Sequence, residues 1–332
     1  MSLQYMRDVF TNKVSPPKDT RPSFKGRNVI VTGANVGLGY ETALKFVQLG
    51  ADKVVLACRS LSKGEEAKRR IDAQTKKPQS TVVWQLDMGN YDSIKDFAAR
   101  ANSELDHLDI ACLNAGVMSI PFKQSDYGYE QTLQVNVLST TYLALLLIPQ
   151  LRASKTEKYN PVLEIVGSSN AYIVSKLVSE TAPFAAYNKP ENYSPAPMYN
   201  TSKLFVGYVE QELTALVANK ETGRPDVFLS VVCPGACKSE LGRNADAWYF
   251  KAMLYVLEKL VQRTAEEGAR TYISGVDQAE KIHGGFWKND EIRPPAPLMQ
   301  GEKGKKLQQI VWKEVTDALA RDVPEVRQLA AL

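Results

Sequence analysis

The sequence predicts an α/β protein: a single doubly wound parallel sheet with helices on both faces. Three observations carry this. Short β-branched runs alternate with segments of helical periodicity along most of the chain. Residues 28–50 read as strand, glycine-rich turn and helix. No internal repeat or low-complexity linker divides the 332 residues, so one core can form across them.

The turn is the centre of that pattern. Val29-Ile30-Val31 has the character of a strand buried on both faces. Thr32-Gly33-Ala34-Asn35-Val36-Gly37-Leu38-Gly39 follows, and then Ala43, Phe46, Val47 and Gly50 recur at helical spacing. Backbone N–H groups left free at a helix N-terminus suit a pyrophosphate, and glycines let the backbone approach it. This predicts a dinucleotide site in a Rossmann-type fold, although a glycine turn alone can be only a turn.

The other elements follow in order. Residues 1–25 form a polar, proline-containing arm expected on the surface. Strands are expected at 53–57, 81–86, 108–113, 161–167 and 227–233, and helices at 62–77, 91–103 and 129–151. The stretch 181–198 is irregular and rich in Pro, Tyr and Asn. Residues 240–260 read as an aromatic helix containing Trp248, Tyr249 and Phe250. Both are expected to serve as a substrate lid, with Tyr193 and those three aromatics facing a bulky apolar substrate. The core domain is expected over 26–290, and a C-terminal extension over 291–332 with a closing amphipathic helix at 305–320.

Composition narrows the function. A net charge of +4 with acids and bases mixed gives no general affinity for nucleic acid. Cys58, Cys112, Cys233 and Cys237 show no zinc or redox spacing, and a buried reduced thiol is the default for such positions. With His107 and His283 the only histidines, a His-based metal centre or Ser-His-Asp triad is not expected. The first residues lack a signal-peptide core and the apolar run at 142–149 is too short to span a bilayer, which points to the cytoplasm.

Two further stretches carry chemistry. Arg59 stands twenty residues after Gly39, at the end of the second strand. An acid near this point binds a ribose 2′-hydroxyl, whereas an arginine accommodates a 2′-phosphate. With no Asp or Glu there, and Lys63 in support, NADP(H) is expected rather than NAD. In Tyr199-Asn200-Thr201-Ser202-Lys203 the phenol and the ammonium share one helix face, and a nearby ammonium lowers a tyrosine pKa. Such a pair is common on surfaces; its weight comes from following the Ser168-Ser169 pair after the fifth strand.

These stretches together resemble the short-chain dehydrogenase/reductase family. Thr32-Gly33-x-x-x-Gly37-x-Gly39, Asp87, Asn114-Ala115-Gly116, Asn136, Ser168, Tyr199-x-x-x-Lys203 and Pro234-Gly235 occur in the family's order across residues 26–290. The "LACRS" and "EEGART" details are similar to the branch holding retinol dehydrogenases, the WW-domain oxidoreductase and fungal secondary-metabolism ketoreductases. The N-terminal anchor of many retinol dehydrogenases is missing, so a soluble relative is expected.

The resemblance implies a role for each position. Tyr199 would donate the proton in carbonyl reduction, and Lys203 would hold the nicotinamide ribose and lower the tyrosine pKa. Ser168, chosen over Ser169 by the family's strand-end pattern, would hydrogen-bond the carbonyl oxygen, and Asn136 would hold a relay water. Gly33, Asn35, Val36, Gly37, Leu38 and Gly39 would cradle the pyrophosphate, and Asp87 and Met88 would flank the adenine. Asn114, Ala115 and Gly116 would line the cofactor channel. Pro234, Gly235 and Ser239, the last in the family's threonine position, would meet the carboxamide.

The chain departs from the family in the long interval between Ser168 and Tyr199 and in Leu113, which replaces a usual asparagine. The long interval leaves homodimer and monomer both open. The activity implied is NADPH-dependent reduction of a ketone or aldehyde on a bulky apolar small molecule. A redox-neutral dehydratase or cyclase, and a non-catalytic NADP(H)-binding regulator, compete with it.

Overall fold

The strands begin where β-branched residues can be buried on both sides. In a computed structural model that describes residues 11–219, 221–238 and 261–331, they are β1 Asn28–Thr32, β2 Lys53–Cys58, β3 Thr81–Gln85, β4 Ile110–Leu113, β5 Val162–Val166, β6 Phe228–Val232, β7 Phe286–Lys288 and β8 Glu291–Arg293. They form one sheet in the order β3-β2-β1-β4-β5-β6-β7-β8, parallel except for the β7–β8 hairpin. The order reverses direction between β1 and β4, and ligands of open α/β sheets bind at such a switch point, beyond the strand C-termini.

The helices among the described residues are α1 Gly37–Gln48, α2 Leu61–Thr75, α3 Tyr91–Glu104, α4 Gln131–Ala153, α5 Pro183–Tyr187, α6 Pro195–Leu216, α7 Ala265–Asp277, α8 Ala279–Ile282, α9 Gly301–Asp322 and α10 Val326–Leu329. The alternating strand residues separate the core into two layers. Val29, Val31, Val54 and Leu56 pack with α1, α2 and α7, whereas Ile30, Val55, Leu163 and Ile165 pack with α3, α4, α6 and α9. Helix α4 is long and apolar enough to cross a membrane by composition, but it lies buried within the second layer.

Several expectations change. Strands β7 and β8, of three residues each, are too short to show a period in sequence, and their hairpin straddles the boundary expected at 290/291. Leu307, Val311, Val315 and Leu319 of α9 belong to the core of the second layer, so the C-terminal extension is part of the same domain. The stretch 181–198 is largely structured rather than irregular. The α5 backbone donates to the Glu314 carboxylate on α9 (Phe184 N 2.9 Å, Ala185 N 3.1 Å), and Phe184 and Tyr187 are buried. Tyr193 packs on Phe122 and donates to Ser119 O. The expected lid helix at 240–260, with Trp248, Tyr249 and Phe250, lies outside the described residues, as does Ser239.

Candidate active site

The glycine turn leaves β1 when Gly33 N–H bonds Ala57 O (2.8 Å) and Gly33 takes a positive φ of 67°. Helix α1 then starts behind Val36 with no side-chain cap and no acid in its first turn, so its leading N–H groups remain available to an anion. Gly39 cannot be replaced here: a Cβ would lie 2.4 Å from Gly33 O and 2.7 Å from Asn114 Nδ2. A Cβ on Gly37 would meet nothing within 4 Å, so the space over the turn is open. This cradle fits a pyrophosphate, with Asn35, Val36 and Leu38 at its partly or fully exposed rim.

Asn114 supports the turn from behind. Its Nδ2 donates to Thr32 O (2.8 Å), its Oδ1 accepts from Tyr272 OH (3.1 Å), and Ala115 N donates to Thr32 Oγ1 (2.9 Å). The amide is thus a brace between β1, β4 and α7 rather than a free contact in the channel. Tyr272 was not distinguishable in sequence, because its partner lies far away along the chain.

At the neighbouring strand ends, Leu86 N bonds Cys58 O (3.0 Å), which places Asp87 beside Arg59. The Asp87 carboxylate accepts from Gly89 N (2.8 Å), and Met88 is buried below it. Arg59 and Lys63 are exposed at the start of α2, where Ser60 Oγ accepts from Lys63 N (3.4 Å). No described residue hydrogen-bonds the Arg59 guanidinium.

The four catalytic candidates converge beyond β4 and β5. Ser168 follows β5, and its hydroxyl lies close enough to the Tyr199 phenol to act on it and accepts from Asn170 N (3.2 Å). Tyr199 is half-buried in the second turn of α6. Lys203, only 7% exposed, places Nζ 5.8 Å from the Tyr199 ring centroid and 2.8 Å from Val166 O, to which it donates. A Cβ on Gly116 would lie 3.2 Å from Asn136 Oδ1 and 3.7 Å from Lys203 Nζ, so Gly116 keeps this corner open.

Asn136 lies in a π-helical turn of α4, Gln134–Ser139. Its Oδ1 accepts from Val117 N (2.8 Å), while its Nδ2 donates to Val117 O (2.9 Å) and Ser202 Oγ (3.0 Å). Ser202 in turn donates to Tyr199 O (2.8 Å). Both amide hydrogens are therefore committed, and the side chain acts as a brace between the Val117 segment and α6. Ser202 was visible inside the Tyr-Lys motif, but its partner was not.

The electrostatics also correct an expectation. The Tyr199 phenol is not lowered by its neighbour: burial pushes it well above its ordinary value of 10.0, with only the nearby Ser168 hydroxyl acting downward. Burial also lowers Lys203 from 10.5 to about 8, because its ammonium faces a carbonyl rather than a carboxylate. The resting tyrosine is thus a protonated acid, ready to donate.

Pro234 and Gly235 follow β6 beside Cys233, whose Sγ lies 3.2 Å from Ser169 N and Oγ. A separate cavity of about 350 Å³ lies behind α6, lined by Tyr172, Glu210, Phe286 and Met299; it shares Lys203 with this site but not Ser168, Tyr199 or Asn136. All four cysteines are buried and unpaired, and no cluster of metal-ligating side chains occurs among the described residues.

The comparisons agree with this geometry. Residues 27–159 match the model of the short chain dehydrogenase family. The short-chain dehydrogenase/reductase ffsI of Aspergillus flavipes is 39% identical over 318 residues, 95% of this chain and 92% of that one. A short chain dehydrogenase from Burkholderia cenocepacia in complex with NADP superposes with a TM-score of 0.60 at 19% identity, covering 80% and 96% of the two chains. A 3-ketoacyl-(acyl-carrier-protein) reductase from Brucella melitensis complexed with NADH gives 0.59 at 19% identity, with 80% and 96% covered. The glycine cradle, the Ser168-Tyr199-Lys203 group and an identity sustained over nearly both full lengths place the chain among the short-chain dehydrogenase/reductases, as an oxidoreductase that uses a nicotinamide cofactor.

Proposed function

We propose that the protein uses NADPH to reduce a ketone or aldehyde on a bulky apolar small molecule to the alcohol, as a step of secondary metabolism. The observation that carries the reading is the Tyr199 phenol kept protonated by burial beside Ser168, with the Lys203 ammonium 5.8 Å from its ring. The nicotinamide, when bound, supplies hydride to the carbonyl carbon. Tyr199 gives its proton to the carbonyl oxygen, and Ser168 donates a hydrogen bond to that oxygen as charge develops on it. Lys203 holds the ribose, and Asn136 with Ser202 fixes the helix that carries Tyr199 and Lys203. Buried reduced thiols suit a reducing cytoplasm.

The choice of NADPH rests on charge at the end of β2, since this fold is found with either cofactor. Arg59, Lys63 and the N-terminus of α2 converge there without an acid in the first turn. A hydrogen bond to a charged group contributes ~1.5–3 kcal/mol, and the exposure of Arg59 places it at the lower end. Arg59→Ala is therefore expected to weaken NADPH about tenfold and NADH hardly at all, as read by titration of each. An equal loss for both would remove Arg59 from 2′-phosphate recognition. The reaction itself is tested by NADPH consumption over a panel of bulky ketones with product analysis; alcohol formation in step with NADPH loss supports it, and turnover without NADPH loss overturns it.

A further inference from the structure

We infer that Asn12 of the N-terminal arm and Arg263 ahead of α7 are positioning residues of the cofactor site, which hold the loop Cys233–Lys238 in its working shape. The inference rests on the proposed reading of Pro234-Gly235 as the segment that meets the nicotinamide. Asn12 approaches this loop across more than two hundred residues of sequence. Its Nδ2 donates to Ala236 O and to Val261 O (2.8 Å each), and its Oδ1 accepts from Ala236 N (3.2 Å). One side chain thus satisfies both backbone groups of Ala236 and ties them to the chain where it returns at Val261.

Gly235 shows that the fit is specific. It has a φ of 79°, and a Cβ there would lie 2.2 Å from Asn12 Oδ1 and 3.1 Å from Arg263 Nη1. The loop has no side chain at the point where the arm needs room. Arg263 completes the arrangement. Fully buried, it donates through Nε to Asn12 O (2.6 Å), through Nη1 to Pro234 O (3.2 Å) and through Nη2 to Ser15 O (3.1 Å). Its backbone pairs with the same loop, Arg263 N to Ala236 O and Lys238 N to Arg263 O, both 2.9 Å. A buried guanidinium whose side-chain bonds all end on carbonyls is costly, and it persists here because those bonds, two to the arm and one to the loop, tie arm and loop together.

The loop is also locked to the glycine cradle. Thr264 and Glu267 form a capping box that starts α7 immediately after Arg263. In the first turn of that helix, a Cβ on Gly268 would lie 2.5 Å from both Leu38 Cδ2 and Cys237 Sγ. Movement of the loop would therefore be felt at Leu38, beside the pyrophosphate cradle. The far end of the arm is secured elsewhere, through Asp19 to Lys45 (3.1 Å) and Phe24 on Phe46. Among the described residues, the Asn12–Ser15 end of the arm is the part that serves the loop.

The test uses the full chain with Asn12→Ala, Asn12→Asp, Tyr199→Phe and, as a destabilised control, Phe24→Leu. Asn12→Ala is expected to raise the NADPH dissociation constant about 10- to 100-fold, as several hydrogen bonds are lost together. Amide exchange should speed up at Ala236 and Lys238 but not at the arm's Phe24 end. Asn12→Asp, which keeps the acceptor for Ala236 N, should fall between, and it supplies the measurement if Asn12→Ala does not fold. Phe24→Leu should lose thermal stability and keep NADPH affinity. Unchanged affinity and exchange in both Asn12 variants would overturn the inference, as would an equal loss of affinity in Phe24→Leu. Because NADPH binding is read without turnover, failure of the reductase reading, seen as a fully active Tyr199→Phe, is distinguishable from failure of this one.

Discussion

Tyr199→Phe is expected to lower the rate of carbonyl reduction by ~10²–10⁴-fold while leaving NADPH affinity nearly unchanged. The substitution removes one hydroxyl and keeps the ring that packs beside Lys203. Burial holds the phenol protonated far into the alkaline range, so at neutral pH it is the group positioned to give up a proton. Ser168, its neighbour, keeps its contact from Asn170 N and stays in place. The glycine cradle and Arg59 lie at other strand ends and do not touch the phenol, which is why binding should survive. The loss corresponds to about 3–5 kcal/mol of barrier. NADPH titration alongside initial rates checks both halves, and a Tyr199→Phe variant that turns over at the wild-type rate would sink the mechanism.

What was legible in the sequence is what local spacing controls. The strand-turn-helix at residues 28–50, the 3.6-residue pairing of Tyr199 with Lys203, and the strands β1 to β6 each declare themselves within a few residues. The catalytic candidates come together because parallel strands bring their C-terminal ends, and the helices that follow them, to one side of the sheet. What was hidden depends on distance. Arg263 sits in a polar run, Gln262 to Glu267, that reads as solvated, yet it is buried because Asn12, far away along the chain, faces it. The bonds of Asn136 to Val117 and Ser202 were hidden for the same reason, since both partners are distant in sequence. The sign of the Tyr199 shift failed for a related reason. Sequence shows that an ammonium is four residues away, but not that the phenol is half-buried, the ammonium fully so and turned to Val166 O.

Lys203→Met should harm binding and turnover together, and its pH behaviour separates it from a merely structural loss. The methionine keeps an unbranched stem inside α6 but removes the cation proposed to hold the ribose. Losing a hydrogen bond from a charged donor costs about 1.5–3 kcal/mol, or roughly 10- to over 100-fold in NADPH affinity. Reduction should also slow, because the ribose and nicotinamide are then less well fixed against Tyr199. In the wild type, burial lowers Lys203 from 10.5 to about 8 in the folded protein. As pH rises through about 8 the ammonium is lost, so kcat/KM for NADPH should decline on that flank. Stability moves the other way. Between about 8 and 10.5 the unfolded chain binds a proton that the folded one does not, so the slope of unfolding free energy with pH is positive there. The full gap corresponds to roughly 3 kcal/mol, a penalty present below pH 8 and relieved as pH climbs. Wild-type activity should therefore fall while this contribution to stability rises over the same window, and both trends should vanish in Lys203→Met. Denaturant midpoints and kcat/KM from pH 7 to 10 read the two. An activity profile flat to pH 10, or a methionine variant that binds NADPH as tightly as the wild type, would remove Lys203 from the role assigned to it.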